Sequence, residues 1–292
     1  MENPRHRPVD SAAGPGASAG EPHFDLAFAP YRPLRPTAGK VRGDALLWTA
    51  LDAAGERERW EPLLRAIQRG VGRGRTIWGA SRGDAGTTWR LRLANPKREH
   101  LIDSLRTALE PWLTIAPGLA DDGAYDVLGI DLNTAVATNR SVASVKHHVR
   151  GAQPRTLTVW EVDSAGRRRV DEVLIVEAKR EINVALPRIK ASRVVDFAGD
   201  RSRLGRALIP ELFACRHVHV CRRDDVDALV YSGINVDHLL WFLARFAFPP
   251  ALVDFARGER ERLDHLLFDV EVAYRQSGAA IVYPETTLYG AL

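Results

Sequence analysis

Basic residues recur at every second position in separate stretches of the chain. In 87–93, Thr88, Arg90 and Arg92 alternate with Trp89, Leu91 and Leu93. In 141–150, Ser144, Lys146, His148 and Arg150 share one parity, with Val145 and Val149 on the other. In 173–181, Glu177, Lys179 and Glu181 sit opposite Leu174, Val176 and Ala178. An extended strand turns alternate side chains to opposite faces, so each stretch reads as a strand with one apolar and one charged face. Guanidinium and ammonium groups hold phosphate oxygens through charge-assisted hydrogen bonds. The chemistry open to these residues is the grip of a phosphate-bearing ligand, provided the fold brings the faces together.

Two arrangements would accommodate such strands. In a half-exposed antiparallel sheet the charged face meets solvent. In a closed barrel with helices outside, it lines a lumen. Charges in a lumen are costly unless an anion is bound among them, and a diphosphate or triphosphate suits such a cavity.

The elements that would position these residues come in pairs. Strands are expected at 75–82 with 87–94, turned at Gly83-Asp84-Ala85-Gly86, and at 125–132 with 141–150. Further pairs are 155–162 with 171–181, 217–222 with 228–234, and 279–283 with 286–291. Helices are expected at 44–54 and at 61–69, with Pro62 in the first turn of the second. Leu101, Ile102, Leu105, Leu109 and Trp112 mark a helical face over 98–112. Helical text also runs over about 186–213, over 236–246, and over 249–274 with a break near Gly258. Five antiparallel pairs interleaved with helices make an α+β fold, because a doubly wound sheet needs a crossover helix after each single strand. No glycine-rich phosphate loop stands at a strand–helix junction.

The 292 residues, 45% hydrophobic and 27% charged, are ordinary globular composition and exclude collagen-like, coiled-coil and wholly disordered chains. No apolar run approaches the ~18–20 residues of a membrane helix. Cys215 and Cys221 are too few for a disulfide framework or a four-cysteine zinc site, so a reducing cytoplasm is the expected location. Seven of the 17 prolines fall in residues 1–40, with a small-residue run at 11–20. That region is expected to be a disordered or loosely docked tail, with a docking segment possible at Phe24–Phe28, ahead of one domain over 41–292. The net charge of +4 is too diffuse to name a partner.

Gly129-Ile130-Asp131-Leu132 followed by Ser144-Val145-Lys146-His147-His148-Val149-Arg150 resembles a strand pair of the cyanobactin-type peptide prenyltransferases. Their signature there is Ser-aliphatic-Lys-x-His-aliphatic-Arg. The layout from about residue 44 to 292 is similar to that family and to its wider ABBA group. The resemblance implies a ten-stranded antiparallel barrel of αββα repeats, helices outside and the active site in the lumen. It implies a prenyltransferase, expected as a monomer, moving a C5 or C10 isoprenyl group from dimethylallyl or geranyl diphosphate to a peptide side chain. Arg90, Arg92, Lys146, His148 and Arg150 would then grip the diphosphate, with Lys179 as a further cation. Tyr231 and Tyr289 would flank the carbocation, although for either ring taken alone a buried tyrosine with its hydroxyl bonded is the better reading. The family's acidic residue on the first strand is absent from Ile77-Trp78-Gly79-Ala80-Ser81. Glu177 and Asp131 have the parity to replace it, and Gly79 would open space for a larger substrate. No Asp-rich metal motif appears, and Mg²⁺ is expected only as a companion of the diphosphate.

Other classes compete. Glu177-x-Lys179 is similar to the Glu-x-Lys strand of PD-(D/E)XK nucleases, with Asp163 or Asp171 as the preceding metal ligand. A triphosphate-tunnel or polyphosphate enzyme would also line a barrel with Arg, Lys and Glu. A non-catalytic binding module could use His217-x-His219 with Cys215 or Cys221, but no fourth ligand is evident, and a polar lumen lining is the simpler reading. Arg167-Arg168-Arg169 reads as a solvated turn. The partner these features favour is a small diphosphate rather than nucleic acid or a membrane.

Overall fold

In the computed structural model, which describes residues 16, 17 and 21–292 apart from 73, 85, 117 and 120, ten strands close into a barrel in chain order. They are β1 (Thr76–Gly83), β2 (Gly86–Ala94), β3 (Val127–Leu132), β4 (Val145–Arg150) and β5 (Thr156–Asp163). The second half is β6 (Gly166–Glu177), β7 (His217–Arg222), β8 (Asp227–Ile234), β9 (Phe268–Ser277) and β10 (Ala280–Ala291). Each strand pairs antiparallel with the next, and β10 pairs with β1 to close the ring. The tight β1–β2, β5–β6, β7–β8 and β9–β10 turns therefore share one end of the barrel, the hairpin end.

The main helices are α1 (Asp44–Ala53), α2 (Arg57–Val71), α3 (Leu101–Leu109), α4 (Thr134–Asn139), α5 (Ile182–Lys190) and α6 (Arg201–Leu208). They continue with α7 (Val236–Arg245), α8 (Pro250–Gly258) and α9 (Arg260–Leu263). Outward strand residues such as Trp89, Leu91, Val220, Val270 and Leu288 join Leu51, Trp60, Leu239 and Phe242 of the helices in one buried cluster. Each such side chain contributes about 1.5–3 kcal/mol on burial. The outer shell thus holds the barrel closed and leaves the inner wall to carry charge. Among the described residues no helix is long and apolar enough to cross a membrane.

The expected strand pairs hold for β1 to β8, and the last pair is corrected. Residues 268–274, expected as helix, belong to β9, while 280–291, expected as two strands, form the single β10. Phe268, Val270, Val272 and Tyr274 alternate with Asp269, Glu271 and Ala273, a period of two that follows directly on the apolar helical text. Pro284 falls where the β9–β10 register shifts between Ala273 and Arg275, an irregularity that spares a proline its missing N–H. Helix α4 was also unexpected.

Part of the expected tail lies outside the described residues, and the rest meets the barrel. His23–Phe24 pairs with Pro30–Tyr31, and between them Asp25 Oδ1 accepts from the N–H groups of Ala27 at 3.0 Å and Ala29 at 2.9 Å. The turn inserts Leu26 into the end of the barrel opposite the hairpins, where it is only 3% exposed.

Candidate active site

Parity decides what the lumen contains. Along β2 the outward residues Trp89, Leu91 and Leu93 go to the helix-side core, and Arg90 and Arg92 turn inward. On β3 and β4 the inward set is Gly129, Asp131, Lys146 and His148. Together with residues from β5, β6, β7 and β10 they line a cavity of about 390 Å³. A Cβ on Gly129 would stand 3.0 Å from Lys146 Cβ and 3.2 Å from His148 Nε2, so this glycine leaves room for both side chains.

Cations and carboxylates of the cavity are interlocked. Arg90 Nη1 lies 3.4 Å from Glu271 Oε1 and donates to Tyr289 OH at 3.3 Å and Thr287 Oγ1 at 3.3 Å, while its Nη2 bonds Glu285. Arg223, in the β7–β8 turn, donates to Glu271 Oε1 at 2.7 Å and to Asp171 Oδ2 at 2.8 Å. Lys146 Nζ donates to Asp131 Oδ2 at 2.6 Å. Arg92 differs. Its guanidinium lies 5.0 Å from the Tyr289 ring centroid and donates to Tyr289 OH at 3.3 Å. Among the described residues it has no carboxylate partner within 4.0 Å.

Burial alone would raise the Glu271 carboxyl, but the guanidiniums of Arg223, Arg90 and Arg92 outweigh it and hold the group ionised, well below the usual range. Burial also opposes ionisation of Asp131, and Lys146 and Arg90 outweigh it in the same way. At Asp171 burial wins over Arg223 and the carboxyl is raised. Burial, then Arg92, pushes His148 well below its ordinary value and His219 down to about 3, so both imidazoles are neutral. Burial and the neighbouring Glu271 push Tyr289 up to about 12. Its hydroxyl keeps its proton and donates to Glu271 Oε2 at 2.8 Å.

Of the residues singled out by sequence, Arg90, Arg92, Asp131, Lys146 and His148 share the cavity lining, and Tyr289 joins Arg90, Arg92 and Glu271 beside it. Five expectations need correction. Tyr231 faces outward: it is fully buried among the helix-side residues, its ring edge-on to Phe213 and its hydroxyl bonded to the Leu208 carbonyl. Lys179 is exposed in the turn after β6, because that strand ends at Glu177 and parity carries no further. Glu177 stands at the rim opposite the hairpins, 3.5 Å from Arg180. Arg150 is on the same rim with its side chain 78% exposed, 3.6 Å from Asp126. Gly79 opens no space for a substrate, since a Cβ there would lie 2.7 Å from the Tyr289 ring, which already fills the gap.

The nuclease pattern also comes apart. Asp171 stands six residues, about 20 Å, from Glu177 along β6, and Asp163 ends β5 at the hairpin end. Neither can share a metal ion with Glu177. The residues missed from sequence are Glu271, Arg223 and Glu285, and Asp171 was singled out only as a nuclease metal ligand. The alternation of Asp269, Glu271 and Ala273 was the available signal for the first. Arg223 sits in a turn, where no periodicity marks a direction.

No protein-family model matches this chain, and no curated protein matches it in sequence. Solved structures do. 5-Dimethylallyl tryptophan synthase from Streptomyces coelicolor, in complex with DMASPP and Trp, is similar with a TM-score of 0.49 and 10% identity over 86% of this chain and 95% of that one. A further structure of 5-dimethylallyltryptophan synthase from Streptomyces coelicolor gives a TM-score of 0.50 and 11% identity over 84% and 95%. The fold is the ABBA barrel. The expected architecture of ten antiparallel strands with helices outside is the observed one.

Proposed function

We propose that this chain is a prenyltransferase that takes an allylic diphosphate as donor and passes the isoprenyl group to an electron-rich acceptor. The observation that carries this reading is the convergence of Arg90, Arg92, Lys146 and Arg223 inside a closed ABBA barrel. Such cations would bind the diphosphate oxygens and stabilise the charge that grows on them as the allylic C–O bond breaks and the electron pair leaves with diphosphate. The Tyr289 face, a poor nucleophile, would shield the allylic cation from water. The acceptor then bonds to the allylic carbon and gives up a proton. Glu271 and Asp131 are the ionised lumen carboxylates able to take it, and Glu271 stands across Thr287 from Ser81 of β1, the strand that lacks the family's acid.

The finer reading, a C5 or C10 donor and a ribosomal, cyclic peptide acceptor, rests on the Ser144–Arg150 signature. Mg²⁺ belongs to this proposal as a companion of the diphosphate. Asp131, Asp171, Glu271 and Glu285 are each bonded to a cation of the chain and offer the ion no ready ligand set.

The test is incubation with dimethylallyl or geranyl diphosphate, Mg²⁺ and cyclic peptides containing Trp, Tyr, His or Arg. The expected result is diphosphate release with one isoprenyl group gained by a peptide. No donor binding at millimolar concentration would overturn the reading. Turnover of inorganic triphosphate in its place would favour the tunnel enzyme.

A further inference from the structure

The cavity that holds the cations is narrowed, at the end away from the hairpins, by the chain's own N-terminal segment. Leu26 belongs to a buried apolar cluster inside the barrel with Val159, Val173, Val230 and Tyr289. Its N–H donates to Asp269 Oδ2 at 2.8 Å, and the other oxygen of that carboxylate accepts from Gly233 N–H at 2.9 Å. The Asp25 side chain fixes the turn from within, and Tyr31 OH, which accepts from Leu267 N–H at 3.2 Å, fixes the returning strand. Below the turn lies a second cavity of about 850 Å³ that opens at the rim. Leu26 and Ala27 line both cavities. Arg92, His148 and Leu157 line both as well, so the two spaces adjoin beside the turn, which narrows the passage between them.

The cavity is therefore amphipathic: Arg90, Arg92, Lys146 and Arg223 line it beside an aliphatic wall of Leu157, Val159, Val173 and Val230 that meets Leu26. A donor whose diphosphate rests on the cations would lay its hydrocarbon chain on that wall. We infer that the Asp25–Ala29 turn is the floor of the donor pocket and that Leu26 sets the length of isoprenyl chain the lumen accepts. The inference rests on the donor reading above and deepens it. Shortening Leu26 widens the passage from the pocket to the space beneath it, whereas enlarging it raises the floor.

The experiment measures equilibrium binding of the C5, C10 and C15 S-thiolodiphosphates, and of inorganic diphosphate, to the full chain and to Leu26→Ala and Leu26→Phe. The expected result is a C15-to-C5 affinity ratio raised about tenfold or more in Leu26→Ala, the scale on which added methylenes are discriminated in apolar pockets. Leu26→Phe lowers the same ratio, and inorganic diphosphate binds all three proteins alike. Slow hydrogen exchange at the residue-26 amide reports that the turn is still seated. A turn merely loosened by substitution would move both variants in the same direction, and that result, or an unchanged ratio, overturns the floor while leaving the donor reading in place. If inorganic diphosphate binds but none of the thiolodiphosphates does, the donor reading falls and the inference with it.

Discussion

Tyr231 and Tyr289 stand on strands of one barrel, both fully buried, and they belong to different chemistries. Tyr231 is on the outer wall, where apolar volume packs against helices and the lone hydroxyl is tied to the Leu208 carbonyl. Tyr289 is on the inner wall, bonded to Glu271 and lying against Arg92. The outer wall is held by burial, which is non-directional and tolerant of position. The inner wall carries charges that, Arg92 apart, pair with an opposite charge, because an ionised group left alone there is costly. A ligand that brings its own charge can act on the second wall and has nothing to act on in the first.

The largest effects should separate the walls by their response to an anion. Glu271→Gln leaves Arg90 and Arg223 short of a carboxylate and is expected to cost about 3–5 kcal/mol. Leu288→Ala, on the outer face of β10, is expected to cost about 2–5 kcal/mol as a cavity. Inorganic diphosphate should restore much of the first loss and no more than its parental increment of the second, as read by urea melts with and without the anion. Equal rescue of both would break the distinction.

Within the inner wall, Asp269 and Glu271 sharpen it. They share a face of β9 two residues apart, yet burial raises Asp269 to about 7 while guanidiniums hold Glu271 well below its usual range. Between the ordinary carboxyl value and about 7, the folded chain keeps a proton on Asp269 that the unfolded chain has released. Stability from this group therefore falls as pH rises across that window and levels off above it. Urea midpoints at pH 5 and pH 7.5 should show this fall in the parent and a smaller one in Asp269→Asn. An identical slope in both would remove Asp269 as its source.

The smallest effect is expected from the tyrosines themselves. Tyr231→Phe orphans one part-buried carbonyl, costs about 1–3 kcal/mol and leaves turnover per folded molecule unchanged. Tyr289→Phe should lower turnover with a comparable stability cost, because it withdraws a hydroxyl from Arg90, Arg92 and Glu271. Matching kinetics in the two variants would place them in the same environment.

How much of this was legible in the sequence follows from how local each signal is. Period-two alternation is a property of a few neighbouring residues, and it marked eight strands and the inward parity of Arg90, Arg92, Asp131, Lys146 and His148. It failed at β9, where apolar helical text runs directly into Phe268. It misled at Lys179, whose parity was right on a strand that had already ended. For Tyr231 the local signal was silent, since Leu229 of its own parity and Val230 of the other are both apolar and the strand is buried on both faces. The pairing of charges across the lumen is not local at all. Arg90 and Glu271 are 181 residues apart and meet only when β10 closes on β1.

Arg92 offers the most direct test of the central claim, because among the described residues it has no carboxylate partner and can be removed without orphaning an ion. The measurement is calorimetric titration of dimethylallyl S-thiolodiphosphate into the parent and into Arg92→Met, with thermal melts of both. Binding to the parent, weakened about tenfold to a hundredfold in Arg92→Met by loss of a charge-assisted contact, with stability changed by no more than ~1 kcal/mol, is the predicted result. No binding to the parent at millimolar donor, or equal affinity in the two proteins, would contradict a lumen built to hold a diphosphate.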